Sequence, residues 1–313
     1  MKKLLKVLLI IFLVIVVLVI GLVIFLTIAS GKQNAPKEYW NAIASEGTIE
    51  KEYNKLGSYE FESKVYDAPK VDSHDNNFEV YMPKEEGTYP LVVMVNGSGT
   101  PWDKYKAVFE HFASWGYVVV GCNYEISWDG KHASETLDFA LNTKEIADKV
   151  DTSKVAVCGH SQGGEGAFNA ALEYDNSDMY KAIISLSPTN QELALGLKWG
   201  FNLDTDDMYA YRLENVTIPT MIIAGTGKFD SETVTPLYKM EDMFEQLNTD
   251  VVMARLSNNV DHGAVLYEAN GYVIAWLDYY LKGIETNGTA FFGNEAEIKN
   301  NTRYQDFTSQ KVK

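Results

Sequence analysis

Lys154-Val155-Ala156-Val157-Cys158-Gly159-His160-Ser161-Gln162-Gly163-Gly164 is the stretch whose reading decides the fold. Its first five residues form a short apolar run rich in valine, the pattern of a buried strand. Small residues and then helix formers follow, from Glu165 to Leu172. A strand that turns sharply into a helix around Gly-x-Ser-x-Gly predicts a nucleophile elbow. Glycine on both sides of Ser161 removes side chains that would collide as the chain reverses. The serine is expected in a strained backbone conformation, and the free N–H groups at the start of the helix favour negative charge beside it. A glycine-rich turn with a surface serine is the plainer reading. The strand before the motif, Gly164 and the helix after it favour the elbow.

Working outward, the chain alternates strands and helices. Tyr59 to Tyr66 and Phe78 to Met82 alternate apolar and polar residues, as antiparallel edge strands do, with a turn at 72–77 that includes His74. Leu91 to Val95 is continuously apolar, hence central and covered on both faces. Helical spacing covers Tyr105 to Trp115, Ser134 to Lys149, Ala170 to Tyr174 at the end of the elbow helix, Pro236 to Leu247 and Gly271 to Lys282. Strands are expected at Tyr117 to Gly121, Lys181 to Leu186, Thr220 to Ala224 and Val251 to Leu256. The alternation predicts a doubly wound α/β fold, a mostly parallel sheet with helices on both faces. An irregular cap-like insertion is expected over 188–215, and a surface-docked tail over 284–313.

Lys2, Lys3 and Lys6 lead into an uninterrupted apolar run from Val7 to Ala29. As a helix, 23 such residues reach about 34 Å, enough to cross a bilayer. The run is longer than the apolar core of a secretory signal. We therefore expect residues 1–31 to be a single-pass anchor of the cell membrane, with the rest of the chain outside the cytoplasm. A cleaved signal ending near Ala29-Ser30-Gly31, and so a secreted protein, is the alternative. Residues 32–58 read as a juxtamembrane linker with a short helix around Ile49, Tyr53 and Leu56. Residues 59–313 form the main domain.

The net charge of −16 excludes a nucleic-acid surface. Cys122 and Cys158 each close an apolar run and read as core thiols. No histidine pair has ligand spacing, and Asp204, Asp206 and Asp207 read as an acidic surface loop more than a calcium site. No metal or cofactor is expected.

A serine hydroxyl needs a base, and the base needs an orienting acid. In doubly wound hydrolases these follow the nucleophile in the order acid, base, on loops after strands. Asp230 lies beyond the strand at Thr220, with Glu232 as the alternative acid and helix capping as its plain role. His262 lies beyond the strand at Val251, and no other histidine follows Ser161. His160 is expected to pack, and His111 and His132 to occupy helix-surface or loop positions. The oxyanion of a tetrahedral intermediate needs two N–H donors. Gln162 and the loop Asn96-Gly97-Ser98-Gly99 are placed to supply them, with Ser98 ahead of Gly99. Trp102, Tyr124, Trp128 and Trp199 are candidates for the mouth of the site or for packing of the cap.

Together Val95-Asn96-Gly97-Ser98-Gly99, Cys158 to Gly164, the Asp230 loop and Asp261-His262-Gly263 followed by Tyr272 to Leu277 resemble the α/β-hydrolase superfamily. Within it, residues 59–283 are similar to the dienelactone hydrolase, chlorophyllase and cutinase-like polyester hydrolase group. The resemblance implies cleavage of a small-molecule or lipid-like ester through an acyl-enzyme, without a cofactor. Asn96 departs from the histidine that many relatives carry. The serine departs from the cysteine of the dienelactone enzymes. Acyl transfer, peptide cleavage and a non-catalytic surface binding role are the competing readings.

Overall fold

A computed structural model describes residues 6–17, 20–21, 35–71, 74–123, 127–200 and 211–312. Among the described residues nine strands form one sheet: β1 (Phe61–Val71), β2 (His74–Pro83), β3 (Tyr89–Val95), β4 (Val118–Cys122), β5 (Val150–His160), β6 (Tyr180–Leu186), β7 (Thr220–Ala224), β8 (Val251–Leu256) and β9 (Tyr304–Gln310). Their spatial order is β1-β2-β4-β3-β5-β6-β7-β8-β9. Neighbours from β4 through β8 run parallel, and β1, β2 and β9 join antiparallel.

The central strands read as unbroken apolar runs because helices cover both faces. On one face Val92, Met94, Ala156, Cys158 and Ile184 pack with helices α2 (Lys106–Ser114) and α7 (Asn270–Lys282). On the other, Leu91, Val93, Val95, Val155 and Val157 pack with α3 (Lys131–Asn142), α4 (Gln162–Ala170) and α6 (Leu237–Gln246). Successive residues alternate between the two cores, as the two-residue period of a strand requires. Both cysteines are buried, and they are not joined in a disulfide.

Several expectations need correcting. The elbow helix ends at Ala170, not Tyr174. The insertion is not wholly irregular, since it carries helix α5 (Gln191–Gly200). Residues 201–210, including Asp204, Asp206 and Asp207, lie outside the described residues. The tail does more than dock: Phe291 is fully buried and Tyr304–Gln310 adds β9 beside β8. His111 is fully buried and His132 nearly so, because the faces of their helices that carry them turn inward.

The stretch before β1 is tied down. Helix α1 (Thr48–Tyr53) packs along α7. Ahead of it, Tyr39 and Trp40 are buried. The Tyr39 hydroxyl bonds His111 Nδ1 at 2.7 Å and accepts from Asn270 Nδ2, while His111 Nε2 donates to the Lys55 carbonyl at 2.9 Å. Residues 35–45 are therefore not a plain polar tether. Burial holds His111 down, to a pKa of about 4, which suits a neutral ring in this chain of bonds.

Among the described residues no helix is long and apolar enough to cross a membrane. Residues 6–17 and 20–21 are helical. The remainder of the expected span, 18–19 and 22–29, lies outside the described residues.

Candidate active site

Ser161 links β5 to α4 with φ 59° and ψ −123°. A non-glycine residue persists there only when its surroundings over-determine it. They do: Ser161 N–H donates to the Leu186 carbonyl at 2.8 Å, and Thr189 N–H donates to the Ser161 carbonyl at 3.2 Å. A Cβ on Gly159 would lie 1.8 Å from the Gly163 carbonyl oxygen, and one on Gly163 would lie 2.1 Å from that of Val95. Both flanking glycines are thus sterically required.

The acid loop leaves β7 at Gly225. Asp230 is fully buried, and its two oxygens are divided between different tasks. Oδ2 accepts from Ser187 Oγ at 2.6 Å and from Gly225 N–H at 2.7 Å. Oδ1 is 2.5 Å from His262 Nδ1. Burial pushes the Asp230 carboxyl up, but the nearby His262 and the three hydrogen bonds outweigh it and leave it below its ordinary value. The acid and base loops are stitched together, since Gly227 N–H donates to the Val260 carbonyl at 2.8 Å. Glu232 is exposed and pairs with Lys228 at 3.7 Å, away from this pair.

With Nδ1 bonded to Asp230, Nε2 is the remaining ring nitrogen of His262. That atom is buried and has no hydrogen-bond partner among the described residues, Ser161 Oγ included. Such bonds are often long before substrate binds. The Phe229 ring stands edge-on to the imidazole, with centroids 5.1 Å apart.

His160, next to Ser161 in the chain, bonds to His262. Its Nε2 donates to the His262 carbonyl at 2.9 Å, and the two rings lie 4.7 Å apart. Burial, then the neighbouring His262, hold its pKa down to about 3, so it remains neutral beside the base. Packing is the expected role, and its target is His262 itself. Sequence reasoning also missed Ser187. Its only signal is position, immediately after β6, the strand between the elbow strand and the acid strand.

On the other flank, Gly97 follows β3. Its N–H donates to the Tyr105 hydroxyl at 2.8 Å, and a Cβ there would lie 3.2 Å from Ser161 Cβ. Ser98 is exposed in the turn that follows, and Gly99 takes φ 63°. Gln162 is the first residue of α4, where backbone N–H groups have no partner within the helix. Its side chain is buried and accepts from Ser127 N–H at 3.3 Å. Trp102 bonds the Asn77 side chain, and Trp128 is half-buried. Tyr124 and the Trp199 side chain lie outside the described residues.

Residues 49–236 match the family model described as chlorophyllase. The chain belongs to the chlorophyllase family. This chlorophyllase-family chain is also similar to cutinase est1 of Thermobifida alba, 26% identical over 215 residues, 64% of each chain. Cutinase 2 of Thermobifida cellulosilytica is 26% identical over 227 residues, 68% of this chain and 76% of its own. Chlorophyllase-1 of Citrus unshiu is 29% identical over 120 residues, 35% of each chain. The sheet order, the elbow and these matches place the chain among α/β-hydrolases of the chlorophyllase and cutinase-like group. The family match includes Ser161 and Asp230 and stops short of His262.

Proposed function

We propose that the protein is a membrane-anchored serine hydrolase that cleaves carboxylic esters. Ser161 is the nucleophile, His262 the base and Asp230 the orienting acid. The observation that carries this reading is the buried Asp230–His262 bond on loops beside a serine held at φ 59°. The names of the cutinase and chlorophyllase relatives favour ester chemistry.

In the reaction, His262 Nε2 takes the Ser161 proton as Oγ attacks the ester carbonyl carbon. The resulting oxyanion accepts from the N–H groups of Gln162 and Ser98. The C–O bond breaks, the alcohol leaves with the proton from His262, and the acyl group remains on Ser161. Water then gives a proton to His262 and attacks the acyl-enzyme. The acid departs and Ser161 recovers its proton.

Residues 1–31 are the proposed anchor. In the helical residues 7–17 apolar side chains are exposed on nearly every face, Leu9 57%, Phe12 61% and Val17 66%. A helix apolar all round calls for an apolar medium. Residues 59–313 form the catalytic body, with residues 35–58 strapped to it.

A fluorophosphonate probe should label the full-length protein in membranes. Ser161→Ala should abolish labelling and lower ester turnover by at least about 10³-fold. Labelling that persists in Ser161→Ala would refute the nucleophile.

A further inference from the structure

We infer that the active-site edge of the sheet is held against the bilayer, and that the substrate is an ester whose apolar body is dissolved in the membrane. This rests on the anchor and triad proposed above.

Ala35 is the first described residue after the apolar run. Its N–H donates to the Lys104 carbonyl at 3.0 Å. Tyr39 and Trp40 then bury themselves against His111, with ring centroids 5.5 and 5.4 Å from it. From Ala35 onward the chain is fixed to the body and provides no slack.

Lys104 belongs to the 3-10 turn Trp102–Tyr105, which follows the Ser98 turn. The next residue, Tyr105, holds Gly97, where an added Cβ would lie 3.2 Å from Ser161 Cβ. Ala35 is thereby fastened to the loop that flanks the nucleophile. That loop leaves the carboxyl end of β3, and Ser161, Asp230 and His262 follow the carboxyl ends of β5, β7 and β8. The strap enters the body at the same edge as the site.

Six residue steps separate Ala29 from Ala35. Fully extended they reach about 20 Å. Headgroups occupy about 5–8 Å of that distance. Ala35, at this edge, therefore rises no more than about 15 Å above them, against a body roughly 45 Å across for this length. Large apolar side chains are also exposed at this edge. Phe229, 39% exposed, stands beside His262, and Leu195, 38% exposed, lies on α5 just after β6. A membrane surface is a fitting neighbour for such groups.

The test uses the full chain in phosphatidylcholine vesicles that contain a rhodamine lipid. Ser161 is labelled with a fluorescein fluorophosphonate, and energy transfer to the membrane is measured. A second protein carries a Gly-Ser spacer of about 40 residues between Gln33 and Asn34, with a root-mean-square span of about 35 Å. The spacer precedes the strap and leaves the fold alone. The expected results are strong transfer without the spacer and a loss of at least about half with it. Turnover of a long-chain ester dissolved in the vesicles should fall about tenfold with the spacer, relative to a short soluble p-nitrophenyl ester. Vesicle-bound, labelled protein whose transfer and ester preference ignore the spacer would overturn the inference alone. Failure to float with vesicles would overturn it through the anchor, and failure to label through the nucleophile.

Discussion

The two flanks of Ser161 are built on different principles. On the β7–β8 side, Asp230 and His262 are buried, and the acid is bonded by Ser187 and Gly225 as well as by the base. On the β3 side, Ser98 is exposed in a turn, and the support comes one residue earlier, through Gly97 and Tyr105. The difference follows from what each flank must present. Under the proposed function a proton relay depends on one tautomer and one ring orientation, so its side chains are themselves held by hydrogen bonds. An oxyanion donor is a backbone N–H, and fixing the backbone is sufficient.

The contrast is tested most severely by Asp230→Asn. Ser187 and Gly225 donate to one carboxamide position and will hold the amide oxygen there. The amide nitrogen then faces His262 Nδ1 and forces its proton onto Nε2, the wrong tautomer for a base. Turnover should fall about 10⁴-fold while the fold survives. A loss under tenfold would mean that the pair does not orient the base.

Ser187→Ala probes the support one layer out and should have a smaller effect. Removing a donor from a buried carboxylate costs about 2 kcal/mol of stability. It also has a pH signature. Asp230 is held below its ordinary value, so its ionised form contributes stability that is present above about pH 4 and lost as pH falls through the folded value. Without Ser187 that folded value rises, and the midpoint of acid unfolding should move upward. An unchanged midpoint would make Ser187 a packing residue.

The smallest effect is expected from Ser98→Ala, because only the backbone of residue 98 is assigned a role. Ester turnover should stay within about twofold. A loss above tenfold would show that the hydroxyl takes part and would erase the distinction between the flanks.

How much of this was legible beforehand depended on locality. The elbow was readable because strand, glycines and helix are contiguous from Lys154 to Ala170. Strands β7 and β8 match their expected limits, since each is short, apolar and covered on both faces. Ser187 was not readable, because its partner is 43 residues away and no motif links them. Tyr39 and Trp40 sit in a polar stretch whose composition says nothing about a waiting surface on His111 and Asn270. Strand β9 was hidden by its own sequence. Tyr304–Gln310 is mostly polar and partly exposed, as an edge strand is, and Asp306 interrupts it with φ 55°.

The first and last stretches of the body also meet. Ile49 and Glu50 N–H groups donate to Glu297, the Glu50 carboxylate pairs with Arg303, and Glu46 accepts from Thr302. A chain closed this way resembles a purse whose clasp is sewn to both ends of the drawstring. Its native state waits until synthesis has passed Arg303, because residues 46–50 find these partners only then.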